Sequence, residues 1–191
     1  MSDIIFRNES GTALLISGAR FALYRSVDYV TPLLKHRPEI VIYGKVCKQS
    51  RNVGFFSDTS AGYRYSGQTM AAQPLGEELT GLIQIVNKLV GAEFNGILVN
   101  QYMDGKDYIG AHSDDESGLD PVGVVTISYG AERMLRIRDK ATKKVVFETI
   151  MQEGRLYQMG GDFQKLYTHE IPVQAKIKEP RISFTFRKHN L

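Results

Sequence analysis

The sequence predicts a mainly β fold with flanking helices (α+β), of the sandwich or jelly-roll kind. Three observations support this prediction: one strongly amphipathic helix before residue 91, many short strands after residue 95, and polar–apolar alternation along the last strand. Short strands separated by glycine-rich or charged turns are typical of sandwiches and jelly rolls. Because the helices precede these strands, we expect them to support one outer face of a sheet.

The strongest helix signal runs from Gly76 to Val90. Its apolar side chains share one stripe at helical spacing, namely Leu79, Leu82, Ile83, Val86, Leu89 and Val90. Gly91 is a typical helix stop. A shorter helix is predicted to start at Ser26, with Val27, Leu33 and Leu34 as its apolar residues, although Pro32 counts against this helix.

The strand signal begins at Asn95. The predicted strands are Ile97–Tyr102, Gly123–Tyr129, Met134–Arg138, Val145–Ile150, Arg155–Met159, His169–Pro172 and Arg181–Arg187. In the last strand, apolar residues at 182, 184 and 186 alternate with Arg181, Ser183, Thr185 and Arg187, so one face is apolar and the other polar. We expect the polar face to point into the lumen of the fold as a ligand surface.

Length and composition predict a single domain, residues 1–191, with ordinary soluble composition. No apolar run of about 18 residues is present, so we expect no membrane span. The first residues lack the features of a signal peptide. Cys47 is the only cysteine, which excludes an internal disulfide and favours an intracellular, reducing compartment. We also expect a monomer. The net charge of +3 permits binding to a polyanion without identifying one.

The candidate metal ligands are His112, Asp114 and His169. Residues two apart in a strand point the same way, so His112 and Asp114 can reach one ion. We expect His169 to come from a distant strand that faces them across the barrel. Two imidazoles and one carboxylate leave metal positions open, as in non-haem Fe(II) oxygenases, although zinc hydrolases also use three protein ligands.

The arginines favour the oxygenase over the hydrolase. Arg181 and Arg187 share one strand face, and a guanidinium grips a carboxylate through two hydrogen bonds. A hydrolase has no use for two such groups beside its metal, whereas an acidic co-substrate requires them. The alternative for the arginines is surface ion pairing, and for His169 it is an ordinary strand histidine.

An ordered set of motifs resembles the AlkB family over roughly residues 42 to 189. The motifs are Asn100-Gln-Tyr102, Asp104-Gly105, Ile109-Gly110-x-His112-Ser-Asp114-Asp-Glu116, Tyr157-x-Met159-x-Gly161, Gln164, Tyr167-x-His169-x-Ile171-Pro172 and Pro180-Arg181-x5-Arg187. The resemblance implies a double-stranded β-helix with a substrate-binding lid. It also implies a dioxygenase that uses Fe(II), 2-oxoglutarate and O2 to demethylate nucleic-acid bases such as N1-methyladenine and N3-methylcytosine, a direct-reversal DNA repair.

The resemblance also implies roles for individual residues of the centre. His112, Asp114 and His169 match the iron ligands, and Asn100 and Tyr102 match contacts to 2-oxoglutarate. Arg181 would pair with the distal carboxylate of 2-oxoglutarate and Arg187 with the carboxylate nearer the iron, with Thr185 between them. The catalytic core is expected at about residues 95–189, and the lid and finger at about residues 40–75.

Further matches point to the subgroup that repairs double-stranded DNA. The resemblance implies substrate contacts in three places. Ile42, Tyr43 and Gly44 would form a finger that fills the gap left by a flipped base. Tyr63, Tyr65 and Ser66 would belong to the lid, and Arg51, Asp115 and Glu116 would lie near the base. A carboxylate beside the base favours cationic lesions over neutral bases. The chain has Ser50-Arg51 where the family often has Pro-Arg, and Phe55-Phe56-Ser57-Asp58 in place of an aromatic-Gly-Asp signature.

Other functional readings stay open at this point. The departures lie in the substrate region, so DNA or RNA and single or double strands are all admissible substrates. An oxygenase acting on a protein side chain, a lipid or a small molecule is a second reading, and a non-catalytic nucleic-acid-binding protein is a third.

Overall fold

The computed structural model describes residues 2–42, 44–60, 62–65, 68–114 and 122–189. For Ile42, Arg64, Tyr65 and Gln68 it describes the backbone alone. Four of the predicted substrate contacts, Tyr43, Ser66, Asp115 and Glu116, lie outside the described residues.

The described part of the chain forms short strands and a few helices. The strands are β1 Asp3–Arg7, β2 Ala13–Arg20, β3 Glu39–Ile42, β4 Lys45–Lys48, β5 Asn52–Phe56, β6 Gly62–Tyr65, β7 Gln68–Ala71, β8 Gly96–Tyr102, β9 Ile109–His112, β10 Val124–Gly130, β11 Arg133–Asp139, β12 Val145–Met151, β13 Arg155–Gly161, β14 Tyr167–Ile171 and β15 Arg181–Arg187. The helices are α1 Tyr24–Val30, α2 Gly76–Val90 and α3 Phe163–Leu166, with a 3-10 turn at Thr31–Leu33.

Two antiparallel sheets form the body of the fold. The larger has seven strands in the order β1-β2-β13-β10-β15-β8-β5, and the smaller has four in the order β12-β11-β14-β9. One apolar cluster draws its side chains from both sheets, including Leu15 and Met159 from the larger and Leu135 and Ile137 from the smaller. Two separate hairpins, β3–β4 and β6–β7, fall in the region predicted to be finger and lid.

Helix α2 covers the outer face of the larger sheet. Its buried residues Leu79, Leu82, Ile83 and Val86 share a cluster with Ile182, Phe184 and Phe186, the apolar face of β15. The predicted bounds of α2 and the predicted packing against one sheet face are therefore confirmed. Leu89, which belongs to the predicted stripe, is exposed. Gly91 ends the helix with a positive φ of 70°, a conformation that glycine adopts without strain.

Strands β1, β2, β5 and β9 escaped prediction. β1, β2 and β5 complete the larger sheet, which therefore extends beyond the range 95–189 expected for the core. In β2 apolar residues occupy both faces (Ala13-Leu-Leu-Ile), and this hides the two-residue period. β9 has four residues, two of them Gly110 and Ala111, which have low strand propensity. Helix α1 begins at Tyr24, two residues before the predicted start.

Membrane crossing by a helix is not indicated. In the described ranges, every helix is too short or too polar to span a bilayer.

Candidate metal centre

Two histidines meet through the pairing of neighbouring strands. His112 at the end of β9 is the register partner of His169 in β14, and their ring centroids lie 4.3 Å apart. The expectation that His169 faces the pair from across the barrel is therefore wrong, because the two imidazoles lie side by side on one small sheet. Nδ1 of His112 contacts the carbonyl oxygen of Gly110 at 2.8 Å, which leaves Nε2 directed at the centre.

Asp114 lies just beyond the end of β9, so strand alternation does not position it. This corrects the expectation that His112 and Asp114 share a strand face. Two tertiary hydrogen bonds hold Asp114 instead: its backbone N–H donates to Oε1 of Gln164 at 2.9 Å, and Nη2 of Arg187 donates to its Oδ1 at 2.8 Å. Gln164 belongs to the short helix α3, which follows β13.

The three side chains form one cluster of metal-ligand atoms. One ligand atom from each of His112, Asp114 and His169 lies within 4.8 Å of the other two. Nε2 of His169 lies 3.5 Å from Oδ2 of Asp114, and Nε2 of His112 lies 4.0 Å from Oδ1. A divalent ion fits this donor set, because two neutral imidazoles and one carboxylate from one side leave its other positions open.

The protonation states suit metal binding. Burial and, next, the neighbouring His112 together lower the pKa of His169 to about 3, although Asp114 opposes this shift. Burial also lowers the pKa of His112, although Asp114 opposes that shift. For Asp114, burial alone would raise the pKa, but Arg187 and the two imidazoles outweigh it and hold the pKa well below its usual range. At neutral pH the cluster therefore offers two lone pairs and one negative charge.

The polar face of β15 lines the same pocket as the cluster. Arg181, Ser183, Thr185 and Arg187 all contribute to its wall, as the alternation along this strand predicts. β8 pairs beside it, with Tyr102 opposite Arg181 and Asn100 opposite Ser183, and both residues also line the pocket. The side chain of Thr185 contacts that of Thr126 at 3.3 Å.

Arg181 is a buried cation whose hydrogen-bonding capacity is largely unused. Its Nη2 contacts the sulfur of Met151, and among the described residues its Nε and Nη1 have no hydrogen-bond partner. The guanidinium carbon lies 5.2 Å from the ring centroid of Tyr102. Burial lowers the pKa of Arg181, and Tyr102 opposes this effect. Buried donors need partners, so this group fits a carboxylate that enters the pocket from outside the chain.

Arg51 and Asn100 form a further contact within the pocket. Nε of Arg51 donates to Oδ1 of Asn100 at 2.7 Å, and both side chains are buried. Arg51 was predicted to reach the nucleic acid, and the structure places it in the pocket wall against a predicted cofactor contact.

Of the lid residues, Tyr63 has a described side chain and is buried. Its hydroxyl accepts a hydrogen bond from Nη1 of Arg187 at 3.2 Å, and its ring packs on Phe55. Gly44 has a positive φ of 76° in the turn between β3 and β4, where glycine is favoured. Ile42 is the last residue of β3, and Tyr65 is the last residue of β6.

Sequence reasoning gave no role to two residues that support this site. Gln164 belongs to the set of motifs that resembles the AlkB family, yet the hydrogen bond that it accepts from the backbone N–H of Asp114 spans 50 residues and leaves no local pattern. Arg133 is fully buried, and its Nη2 donates to the carbonyl oxygens of Asp107 and Pro172, each at 2.8 Å. Its guanidinium lies 5.7 Å from the Tyr102 ring on the smaller-sheet side. A charged residue at a strand start ordinarily indicates a solvated position, so no sequence signal identified it.

Known proteins resemble this chain in sequence and in fold. A family profile described as "2OG-Fe(II) oxygenase superfamily" matches residues 10–187. The chain is 30% identical over 174 residues to the DNA oxidative demethylase ALKBH2 of Homo sapiens. The matched region covers 87% of this chain and 66% of the human protein. The mouse protein of the same name is also 30% identical over 174 residues, with 87% and 72% covered. The chain thus spans slightly less than two thirds of the human protein.

A solved structure entitled "The structure of OsALKBH1" has a TM-score of 0.58 with this chain at 18% identity, and the match covers 92% of this chain and 96% of that one. At this identity the likeness concerns the fold alone. With the two-sheet topology, it confirms the predicted jelly-roll fold with flanking helices.

Proposed function

Because this chain belongs to the 2OG-Fe(II) oxygenase superfamily, and within it to the AlkB family, we propose that it is an Fe(II)- and 2-oxoglutarate-dependent dioxygenase that demethylates N-alkylated nucleic-acid bases. The direct reversal of alkylation damage in DNA is the physiological reaction we propose. Its substrates would include N1-methyladenine and N3-methylcytosine, and O2 would be the co-substrate.

One observation carries this proposal: the metal-ligand cluster and the buried guanidinium of Arg181 line the same pocket. A metal site alone fits a zinc hydrolase equally well. A dicarboxylate such as 2-oxoglutarate accounts for both features, since one end can bind the metal while the other satisfies Nε and Nη1 of Arg181.

The proposed roles follow from the chemistry of each side chain. Iron with 2-oxoglutarate supplies the oxidising power that hydroxylates an N-methyl group, which then leaves as formaldehyde. The protein holds the parts in place: His112, Asp114 and His169 bind the metal from one side. Arg181 anchors the distal carboxylate of 2-oxoglutarate, and Arg187 serves the carboxylate nearer the metal. Asn100, Tyr102 and Thr185 orient the molecule between them.

The proposed substrate contacts rest on the resemblance to the DNA-acting relatives. A base in duplex DNA must leave the stack at a cost of roughly a few kcal/mol, and an inserted Tyr43 between Ile42 and Gly44 would offset part of it. Tyr65 would stack on the extruded base, and Ser66 would belong to the same lid. Asp115 and Glu116 would attract a cationic methylated ring more strongly than a neutral base.

The proposal also covers organisation and location. We take residues 1–191 as one domain that acts as a monomer inside the cell, with the finger and lid at about 40–75 and the metal and 2-oxoglutarate sites within about 95–189. The exposed thiol of Cys47 is compatible with a reducing compartment.

The decisive experiment incubates the protein with Fe(II), ascorbate and 2-oxoglutarate. Oligonucleotides carrying N1-methyladenine or N3-methylcytosine are supplied as single- and double-stranded DNA and as RNA. We expect formaldehyde and succinate in equal amounts, with the DNA substrates preferred. The RNA arm distinguishes an RNA demethylase from a DNA repair enzyme.

Histidine variants provide a matched control. His169→Ala removes a proposed ligand and should abolish turnover, whereas His36→Ala removes an exposed histidine outside the pocket and should leave turnover unchanged. Formaldehyde formation that survives His169→Ala contradicts the assigned metal centre. Succinate without formaldehyde on every nucleic acid contradicts the assigned substrate class.

A further inference from the structure

Tyr63 links the lid hairpin to the candidate metal centre. The hairpin β6–β7 belongs to neither large sheet and pairs only within itself among the described strands. Tyr63 lies on β6, yet its side chain is buried in a small apolar cluster with Val53, Phe55 and Leu98. Tyr63 also lines the pocket that holds the metal-ligand cluster.

The hydroxyl contacts a guanidinium that also contacts a metal-ligand carboxylate. Nη1 of Arg187 donates to the hydroxyl of Tyr63 at 3.2 Å, while Nη2 donates to Oδ1 of Asp114 at 2.8 Å. The guanidinium carbon lies 5.0 Å from the centroid of the tyrosine ring, within the range of a cation–π contact. A continuous series of contacts therefore runs from Tyr63 in the lid through the guanidinium of Arg187 to the carboxylate of Asp114.

A planar guanidinium that is held by one hydrogen bond can still rotate about that bond. A second contact through Nη1, together with an aromatic ring near the guanidinium, fixes the orientation of the plane. All three side chains are buried, so water competes weakly for these contacts. The orientation of Arg187 then determines how it meets Asp114 and any anion bound beside the metal.

We propose that Tyr63 is a positioning residue that couples the lid to the cofactor site by orienting Arg187. The inference rests on the proposed function, because it assigns Arg187 to the bound 2-oxoglutarate. Coupling between two binding sites is reciprocal: if the lid orders Arg187 for 2-oxoglutarate, then bound 2-oxoglutarate orders the lid for nucleic acid to the same degree. A residue that only contacts the nucleic acid produces no such coupling.

Tyr63→Phe tests the proposal because it removes the hydroxyl and keeps the ring on Phe55. The dissociation constant of 2-oxoglutarate is measured by calorimetry with Mn(II), which fills the metal site without turnover, in the presence and absence of a methylated oligonucleotide. We expect the substitution to weaken 2-oxoglutarate binding by about tenfold, the order of effect for a lost partner of a charged donor. The tightening that the oligonucleotide confers in the parent protein should also disappear.

Tyr29→Phe is the matched control, since it removes a tyrosine hydroxyl that donates to the carbonyl of Pro74, outside this pocket. It should change neither constant. If Tyr63→Phe weakens oligonucleotide binding alone and leaves the 2-oxoglutarate constant unchanged, Tyr63 is a substrate contact and the proposal is overturned. Unchanged constants for both ligands overturn it as well.

Hydrogen exchange on the unmodified protein gives a measurement that does not depend on the variant folding. Addition of Mn(II) and 2-oxoglutarate should slow exchange of the backbone amides of residues 62–65, and equal exchange rates count against coupling. A parent protein that binds no 2-oxoglutarate refutes the proposed function itself. A parent protein that binds 2-oxoglutarate and demethylates, but whose Tyr63→Phe variant behaves identically, refutes only the coupling.

Discussion

Nη2 of Arg187 donates a hydrogen bond to Oδ1 of Asp114 at 2.8 Å, and both side chains are buried. This contact joins the last strand of the chain to the segment after β9, 73 residues earlier in the sequence. It holds Asp114 charged inside the fold, and it makes the centre depend on a pair of opposite charges shielded from water.

Asp114→Asn keeps the shape of the side chain and removes its charge. We expect loss of metal binding and a drop in the free energy of unfolding of about 3–5 kcal/mol, because the carboxylate that offsets the buried guanidinium is gone. Urea unfolding of the metal-free protein measures the change. Combining this variant with Arg187→Met should restore part of the lost stability. A single variant as stable as its parent would show that the ion pair contributes nothing.

Gln164→Met tests whether α3 positions Asp114. The substitution removes the acceptor of the Asp114 backbone N–H and leaves a buried donor unsatisfied. Because residues that orient metal ligands typically change metal affinity about 10- to 100-fold, we expect Mn(II) affinity to fall within that range. Gln164→Glu retains the acceptor oxygen and should lose much less affinity. Equal losses in the two variants would contradict the positioning role.

Arg181→Met should separate stability from ligand binding. Burying a guanidinium whose Nε and Nη1 have no hydrogen-bond partner among the described residues is costly, so the ligand-free variant should be as stable as the parent or more stable. Its apparent Km for 2-oxoglutarate should rise about 30-fold or more, since loss of one partner of a buried charge pair costs at least ~2 kcal/mol. Thermal unfolding and initial rates measure the two effects.

Arg136→Met is the control for this variant. Arg136 lies on the smaller sheet, where it forms ion pairs with Glu148 and Glu170. Removal of the Arg136 side chain should leave the Km for 2-oxoglutarate unchanged and alter the free energy of unfolding by about 1 kcal/mol or less.

A marked loss of stability in the Arg181→Met variant would indicate that groups of the chain itself satisfy the guanidinium of Arg181.

Acid should destabilise the metal-free protein well before its carboxylates titrate. Burial lowers the pKa of His169 to about 3 and that of His189 to about 4, both below the ordinary value of 6.5. Between pH 6.5 and 4 the unfolded chain therefore binds protons that the folded chain does not. Above pH 6.5 these two imidazoles do not reduce the free energy of unfolding. As the pH drops below 6.5, the free energy of unfolding falls by up to ~1.4 kcal/mol per pH unit for each such imidazole.

Urea unfolding at pH 7.5, 6.0 and 5.0 measures this dependence. His169→Gln removes one buried imidazole and should flatten the slope in this range. His36→Ala, at an exposed position, should leave the slope unchanged. A free energy of unfolding that rises on acidification would contradict the assigned shifts.

Elements with a long, regular period could be predicted from the sequence. Both α2 and β15 match their predicted bounds because seven or more residues repeat one pattern on one face. The alternation in β15 also predicted that Arg181 and Arg187 share the pocket face. β2 escaped prediction because apolar residues occupy both of its faces, and β9 because it has only four residues.

Contacts between distant segments could not be predicted in this way. The Arg51–Asn100 and Tyr63–Arg187 hydrogen bonds join residues 49 and 124 positions apart, and no local pattern marks either pair. The first bond depends on β5 and β8 becoming neighbours in the larger sheet, and the second depends on the separate β6–β7 hairpin packing against that sheet. Both arrangements follow from burial of the whole apolar core, to which many segments contribute at once.

The amino-acid sequence by itself determined which residue types form the centre: two histidines, one aspartate, and two arginines whose spacing of six residues places them on one face of a strand. The tertiary structure decided how they meet. It set His112 beside His169 through the β9–β14 pairing, and it held Asp114 through Gln164 and Arg187 beyond the end of its strand. The physical reason is that residue type and period act locally, whereas burial and charge pairing act only after the chain has brought distant segments together.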